Sequence, residues 1–258
     1  MGVTQLHDVV YVVCAASSAI SRFDATTHQR LRDINIKDLK WPRDIAACQQ
    51  TSQVYVVYLN VKPGYFAFPV ICRVSADGSD IRQSWLLKLP HQTSSSPLTL
   101  SVTATRLVVT MSEQLIEFNA NGAQLRHVSL PQATHAVESP AGILIVSHYD
   151  KETKTNRVSL VNTGGQVVRQ SWTEHPLCYV SHMAVDSKGN IFVADRDKHC
   201  IFQLDAQLQR RGVLVNEHQL KHEQPVRLCY VEQSGQLLVG LADRASVAVF
   251  NVKDLINR

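Results

Sequence analysis

Apolar and polar positions alternate along the whole chain in short runs, broken by polar or glycine-bearing turns. Residues 182–215, HMAVDSKGNIFVADRDKHCIFQLDAQLQRRGVLV, read as four strands joined by three turns. A period of two over so few residues predicts half-buried antiparallel strands rather than helices. Four such strands cannot cover both faces of their own sheet, so the unit requires neighbours.

The third segment of the unit recurs. It stands as AISRFDATT at 19–27, VICRVSADG at 70–78, QLIEFNANG at 114–122, RVSLVNTGG at 157–165, CIFQLDAQL at 200–208 and SVAVFNVKD at 246–254. Aligned on Phe23, Val74, Phe118, Val161, Leu204 and Phe250, the copies are 43 to 51 residues apart. The second segment repeats in step, as VVYVVC, VYVVYL, LVVTM, LIVSH, IFVAD and LLVGL. A period in the forties with four strands per unit predicts an all-β fold, a six-bladed β-propeller of four-stranded antiparallel blades. The expected blades are 1–36, 41–87, 97–130, 133–172, 180–215 and 225–258, forming one domain over 1–258. Counted in this register, the first inner strand begins at Met1 and the last blade has no room for a fourth strand. The expectation is a missing closing strand, and hence a chain that is part of a longer polypeptide.

One unit carries a family resemblance. HMAVDSKGNIFVADRDKHCIFQLD resembles an NHL repeat, with apolar-Ala-Val-Asp, a glycine turn, apolar-Phe-Val-Ala-Asp, a short polar loop and a strand ending near Asp. The other units are degenerate but keep the order and spacing. The resemblance implies a propeller like that of tripartite-motif/NHL proteins, whose propeller serves as the substrate-recognition module of a ubiquitin ligase. No RING, B-box or coiled-coil segment occurs in these residues, so ubiquitin transfer is not expected of them.

Composition adds little and excludes some classes. Hydrophobic residues make up 45% and charged residues 19%, yet no apolar run approaches the roughly 18 residues of a membrane span. The six cysteines have no metal-binding spacing, and five lie inside apolar strand runs. Free thiols in a reducing, cytoplasmic setting are expected. A formal charge of +4 is mild and gives no reason to expect DNA. No phosphate-cradling glycine loop precedes a helix, and no G-x-S-x-G elbow is present. No cofactor and no catalytic residue is assigned.

Candidate chemistry therefore rests on topology. In a propeller, the entries of the inner strands and the loops between second and third strands share the face around the channel mouth. The alignment makes Asp44, His135, His182 and Arg227 equivalent strand entries, and Tyr58, His148 and Asp195 equivalent second-strand ends. His135, His148, His182 and Asp195 come from adjacent blades and, if they converge, would suit a divalent ion and a metal-dependent hydrolase or lyase. The loops of that face supply partner-binding candidates: Tyr65, Phe66, Phe68, Tyr149, Lys151, Lys154, Arg157, Arg196, Lys198, Arg227 and Arg244. Their basic residues are nearly cancelled by neighbouring Asp and Glu, which weakens the field needed for phosphate recognition. A protein partner is expected first, with RNA as the alternative and catalysis third.

Overall fold

The computed structural model describes the chain except residues 38, 62–66, 87–97, 104–105, 112, 163, 172–176, 243–245 and 257–258, and except the side chains of 61, 67–68, 83–86 and 256. Six sheets follow one another along the chain. They are β1 (Gly2–Leu6), β2 (Val9–Val13), β3 (Ala19–Asp24) and β4 (Ile34–Asn35), then β5 (Pro42–Cys48), β6 (Gln53–Val61), β7 (Ala67–Ser75) and β8 (Ile81–Leu86). The third and fourth comprise β9 (Leu98–Val102), β10 (Arg106–Met111), β11 (Gln114–Asn119) and β12 (Gln124–Ser129), then β13 (Ala133–Glu138), β14 (Leu144–Asp150), β15 (Thr155–Val161) and β16 (Val167–Gln170). The fifth comprises β17 (Val180–Val185), β18 (Ile191–Asp195), β19 (Cys200–Leu204) and β20 (Arg210–Val215). The sixth holds β21 (Pro225–Val231), β22 (Gln236–Leu241) and β23 (Val247–Asn251), followed by the short helix α1 (Val252–Ile256).

Each sheet is an antiparallel meander, and among the described residues the sixth has three strands where the others have four. The inner strands β1, β5, β9, β13, β17 and β21 each lie against the next, and β21 returns to β1. The result is a closed ring, a six-bladed β-propeller. The predicted register holds at every blade: Phe23, Val74, Phe118, Val161, Leu204 and Phe250 stand opposite Val10, Val54, Leu107, Leu144, Ile191 and Leu237.

The core is divided into six apolar seams, one between each pair of blades. Tyr11 and Ile20 meet Val54 and Val74 between blades 1 and 2, and Phe192 and Ile201 meet Leu228 and Leu237 between blades 5 and 6. The smallest set, Val3, Val10, Val12, Val231 and Leu238, lies between blades 6 and 1. The Asp or Asn that follows the aligned apolar position in five of the six blades, with Ser75 in the other, has a local cause. Asp205 Oδ1 accepts from the Gln207 and Gln209 amides, and Asn162 Oδ1 from those of Gly164 and Gln166. Asp186 closes the turn after the inner strand in the same way, with Gly189 at φ 83° supplying the left-handed residue.

The cysteines of the described chain are all free, with Cys48, Cys72 and Cys200 buried. Burial pushes the Cys72 thiol up to about 11 and the Cys200 thiol up to about 12, so these two pack as small hydrophobes. No helix among the described residues is long and apolar enough to cross a membrane.

Because each seam is shared, a cavity in one loosens two blades. Phe192, fully buried and 5.2 Å from the Tyr230 ring, is a sensitive place to test this. Phe192→Ala is expected to cost about 3–5 kcal/mol, measured as the fall in urea midpoint at unchanged m-value.

Candidate functional site in the propeller channel

The ring geometry gives each inner strand one residue at the same height. Pairing with the second strands sets Gly2, Asp44, Thr99, His135, His182 and Arg227 opposite Val13, Val57, Thr110, Ser147, Ala194 and Gly240. In blades 2, 4, 5 and 6 a register shift immediately precedes this residue. A bulge of this kind re-aims the side chain that follows it.

Asp44 is the centre of the group. Its carboxylate is 1% exposed and accepts from Arg227 Nε at 2.9 Å and from the Leu100 amide of the next blade at 2.9 Å. Oδ1 also accepts from the Ile45 amide at 2.9 Å. Arg227 donates further to the carbonyls of Val226 and Arg43. To reach Asp44 from blade 6 the guanidinium passes blade 1, where the ring position is Gly2. A Cβ there would lie 3.0 Å from the Ile45 nitrogen and from Val13 Cγ2. His182, in the blade opposite Asp44, brings Nε2 to 3.6 Å from Asp44 Oδ2, beyond hydrogen-bond reach. The rings of His135 and His182 stack with centroids 3.6 Å apart.

Both histidines use Nδ1 in the same way as Asp44 uses Oδ2: each accepts a backbone N–H from the following blade. His135 takes the Met183 amide at 3.2 Å and His182 the Leu228 amide at 3.3 Å. The proton of each neutral ring is thereby assigned to Nε2, and both Nε2 atoms are buried without a hydrogen-bond partner. This decides how the group meets a cation. Asp44, His135 and His182 bring potential ligand atoms within 4.8 Å of one another, but a ligating nitrogen must present a lone pair, and here each Nε2 presents a proton. The carboxylate already accepts three donors, two at Oδ1 and one at Oδ2. As arranged, the three do not fit a metal ion.

Burial would by itself raise the Asp44 pKa, but the Arg227 charge, with His182 and the Leu100 amide, outweighs it and holds the carboxyl well below the usual range. Desolvation lowers His135 well below the ordinary imidazole value, and lowers His182 less because Asp44 opposes it. Both rings are therefore neutral near pH 7, and Asp44 and Arg227 form the charged pair of this group.

The other sequence-predicted residues lie elsewhere. His148 and Asp195 do not join His135 and His182: each sits on a second strand, one residue beyond the position facing the ring, and so points to the other side of its sheet. His148 Nε2 pairs with Ser159 Oγ at 2.8 Å. Asp195 accepts the Cys178 and Tyr179 amides at 2.9 and 3.1 Å, fixing the entry to β17. Arg227 is drawn into the channel instead of standing on the partner face. Tyr149, Lys151, Lys154 and Arg157 do lie on the β14–β15 hairpin, where Arg157 pairs with Asp150 at 2.9 Å. Arg196 and Lys198 lie on the β18–β19 loop. Tyr65, Phe66 and Arg244 fall outside the described residues, as does the side chain of Phe68. Sequence reasoning missed Trp41 and Tyr179, which are 51% and 37% exposed. Both stand one residue before an inner strand, and that position was their signal.

Two outcomes are expected from the channel group. Asp44→Ala leaves Arg227 buried without its counter-charge and should cost about 3–5 kcal/mol, whereas Asp44→Leu with Arg227→Met should cost less than either single change; urea unfolding of the set reads this. Lowered histidine pKa values mean that the unfolded chain binds protons which the native state refuses once the pH drops below about 6.5. Stability is then full above that pH and falls by about 1.4 kcal/mol per pH unit for each such histidine. Denaturation midpoints between pH 7.5 and 5 should show the slope, and His135→Gln with His182→Gln should flatten it, leaving the share of His148.

The family model of the NHL repeat matches residues 177–204. No curated protein sequence matches the chain. Solved structures with the same ring include a glucose dehydrogenase, with a TM-score of 0.73 at 10% identity over 96% of this chain and 94% of that one. A streptogramin B lyase gives 0.65 at 11% identity over 96% and 91%. Hydrazine synthase of Kuenenia stuttgartiensis gives 0.63 at 15% identity over 96% and 82%. At such identities the likeness is one of fold alone, and no chemistry passes with it. Taken with six blades in one register, these matches show a six-bladed β-propeller, and residues 177–204 carry an NHL repeat.

Proposed function

We propose that this propeller is a non-catalytic recognition module that holds a protein partner on the face around the channel mouth. The observation that carries the reading is the pair of exposed aromatics, Trp41 and Tyr179, placed at the entries of opposite blades on that one face. Arg196 lies over the Tyr179 ring at 5.8 Å and is held by Gln224 at 2.8 Å. Trp, Tyr and Arg are the residue types that dominate interface hot spots, and here a rigid ring presents them. Lys151 and Lys154 of the β14–β15 hairpin and Lys198 of the β18–β19 loop alternate with Asp150, Glu152 and Asp197, which offset their charge, and this favours a protein surface over a phosphate backbone.

The channel group supports the same reading from the other side. Asp44 and Arg227 are engaged with each other, and the Nδ1 lone pair of each imidazole is taken by a backbone amide, so neither ring presents a free lone pair as a general base. Free cysteines suit a reducing compartment. Within a longer polypeptide carrying a ubiquitin-transfer domain, this face would select the protein to be modified.

The test is capture from lysate with and without nuclease, comparing the intact chain with Trp41→Ala and Tyr179→Ala. Proteins that survive nuclease are expected to bind the intact chain and to lose about 2 kcal/mol, roughly thirtyfold, with either variant. Thermal midpoints should stay unchanged because both side chains are exposed. Capture that depends on RNA, or that ignores both substitutions, would refute the reading.

A further inference from the structure

Imidazoles gather in a second place, on the surface. After β20 the chain makes a tight turn over residues 216–224 before it enters β21. Asn216 and Gln219 cap the turn reciprocally: Asn216 Oδ1 accepts the Gln219 amide at 3.0 Å, and Gln219 Oε1 accepts the Asn216 amide at 2.9 Å. Leu220, 1% exposed, anchors it in the seam between blades 5 and 6. The β18–β19 loop lies against this turn, through Arg196 on Gln224 and His199 on His222. His199, His218 and His222 are thereby brought to one patch.

Their hydrogen bonds assign the protons. His199 Nδ1 lies 2.7 Å from the His222 carbonyl oxygen, and His222 Nδ1 lies 2.9 Å from Glu217 Oε1. The hydrogen bond from His222 holds the Glu217 carboxyl below its usual range, so at neutral pH it is a carboxylate. A carbonyl and a carboxylate only accept, and each neutral ring therefore carries its proton on Nδ1 and keeps its lone pair on Nε2. This is the reverse of His135 and His182, whose Nδ1 atoms accept amides. It is also the arrangement of a ligating histidine, one ring nitrogen fixed by a carboxylate or carbonyl and the other presenting a lone pair. His218 stands edge-on to His222, with ring centroids 5.3 Å apart, and its spacing of four from His222 sets two imidazoles on one side of a helical turn. His199 and His222 both hold left-handed φ angles, 49° and 63°, which non-glycine residues seldom adopt.

We propose that His199, His218 and His222 bind a divalent first-row transition ion, Zn²⁺ in the first instance, through their Nε2 atoms, with Glu217 orienting His222. Imidazole donors suit Zn²⁺ and its neighbours, whereas Ca²⁺ and Mg²⁺ take oxygen. Three imidazoles and a water complete a tetrahedral shell. Among the described residues only the channel group holds three such atoms within 4.8 Å of one another, so here the ion closes the cluster. His218 and His222 are exposed, and their rings can turn onto it while the capped turn stays in place. Once bound, the ion clamps the β18–β19 loop of blade 5 to the connection that leads into blade 6. The site uses neither Trp41 nor Tyr179, so it and the reading of the partner face can fail separately.

The test is calorimetric titration of Zn²⁺ alone into the full chain carrying Cys178→Ser, which removes an exposed thiol that would compete. Saturable binding of one equivalent is expected. His199→Ala, His218→Ala and His222→Ala should each weaken it by about a hundredfold, and Glu217→Gln by about tenfold. The Co²⁺ form should show the visible bands of a tetrahedral site and lose them in His222→Ala. That side chain is exposed, so the metal-free thermal midpoint should not move and the variant stays readable. The proposal fails if no saturable binding occurs or if binding survives loss of His199 or His222. It fails also if His218→Ala changes nothing, or if His135→Gln with His182→Gln abolishes binding, for the ion is then in the channel.

Discussion

A single buried carboxylate ties the ring together. Asp44 is taken out of water in the middle of the channel, where an unpaired charge costs several kcal/mol, and it is tolerated because Arg227 and backbone amides surround it. The partners come from different blades: Leu100 belongs to blade 3, Arg227 to blade 6, and His182 faces Asp44 from blade 5. A propeller is otherwise held by seams between neighbours alone. The Asp44 group adds links across the axis, so moving one blade strains groups that are not next to it.

The same logic explains why a cluster with the composition of an active site is here an element of structure. A carboxylate, two imidazoles and a guanidinium in one cavity suggest catalysis when listed as residue types. Their hydrogen bonds say otherwise. His135 and His182 accept amides from adjacent inner strands, and Asp44 does likewise, so three side chains do one job at equivalent places: each stitches its blade to the next. Burial then keeps both imidazoles neutral, and their remaining N–H groups face the cavity. Bonds that run from one blade to the next tie the inner strands together, and a rigid scaffold is what allows loops to present a fixed surface.

The exposed aromatic side chains stand outside this buried group. Around the channel mouth, Trp41 and Tyr179 offer aromatic area over a face of balanced charge.

Six recurrences of one apolar position, from Phe23 to Phe250, were enough to determine blade number, strand order and register, because a sheet face buried against its neighbour forces alternation at every second residue. The three-stranded last sheet was legible for the same reason, by counting. The alignment also placed Asp44, His135, His182 and Arg227 at one height. What it could not give was direction. Whether His148 and Asp195 join that group depends on which face of the sheet a residue one step further along its strand meets, and which imidazole nitrogen carries the proton depends on an amide some 46 to 48 residues away. Such choices are set by side-chain aim and by contacts between distant segments, which local periodicity does not encode. Sequence periodicity therefore determined the ring, and only the closed ring decided that its central histidines accept backbone amides, because those amides belong to the next blade.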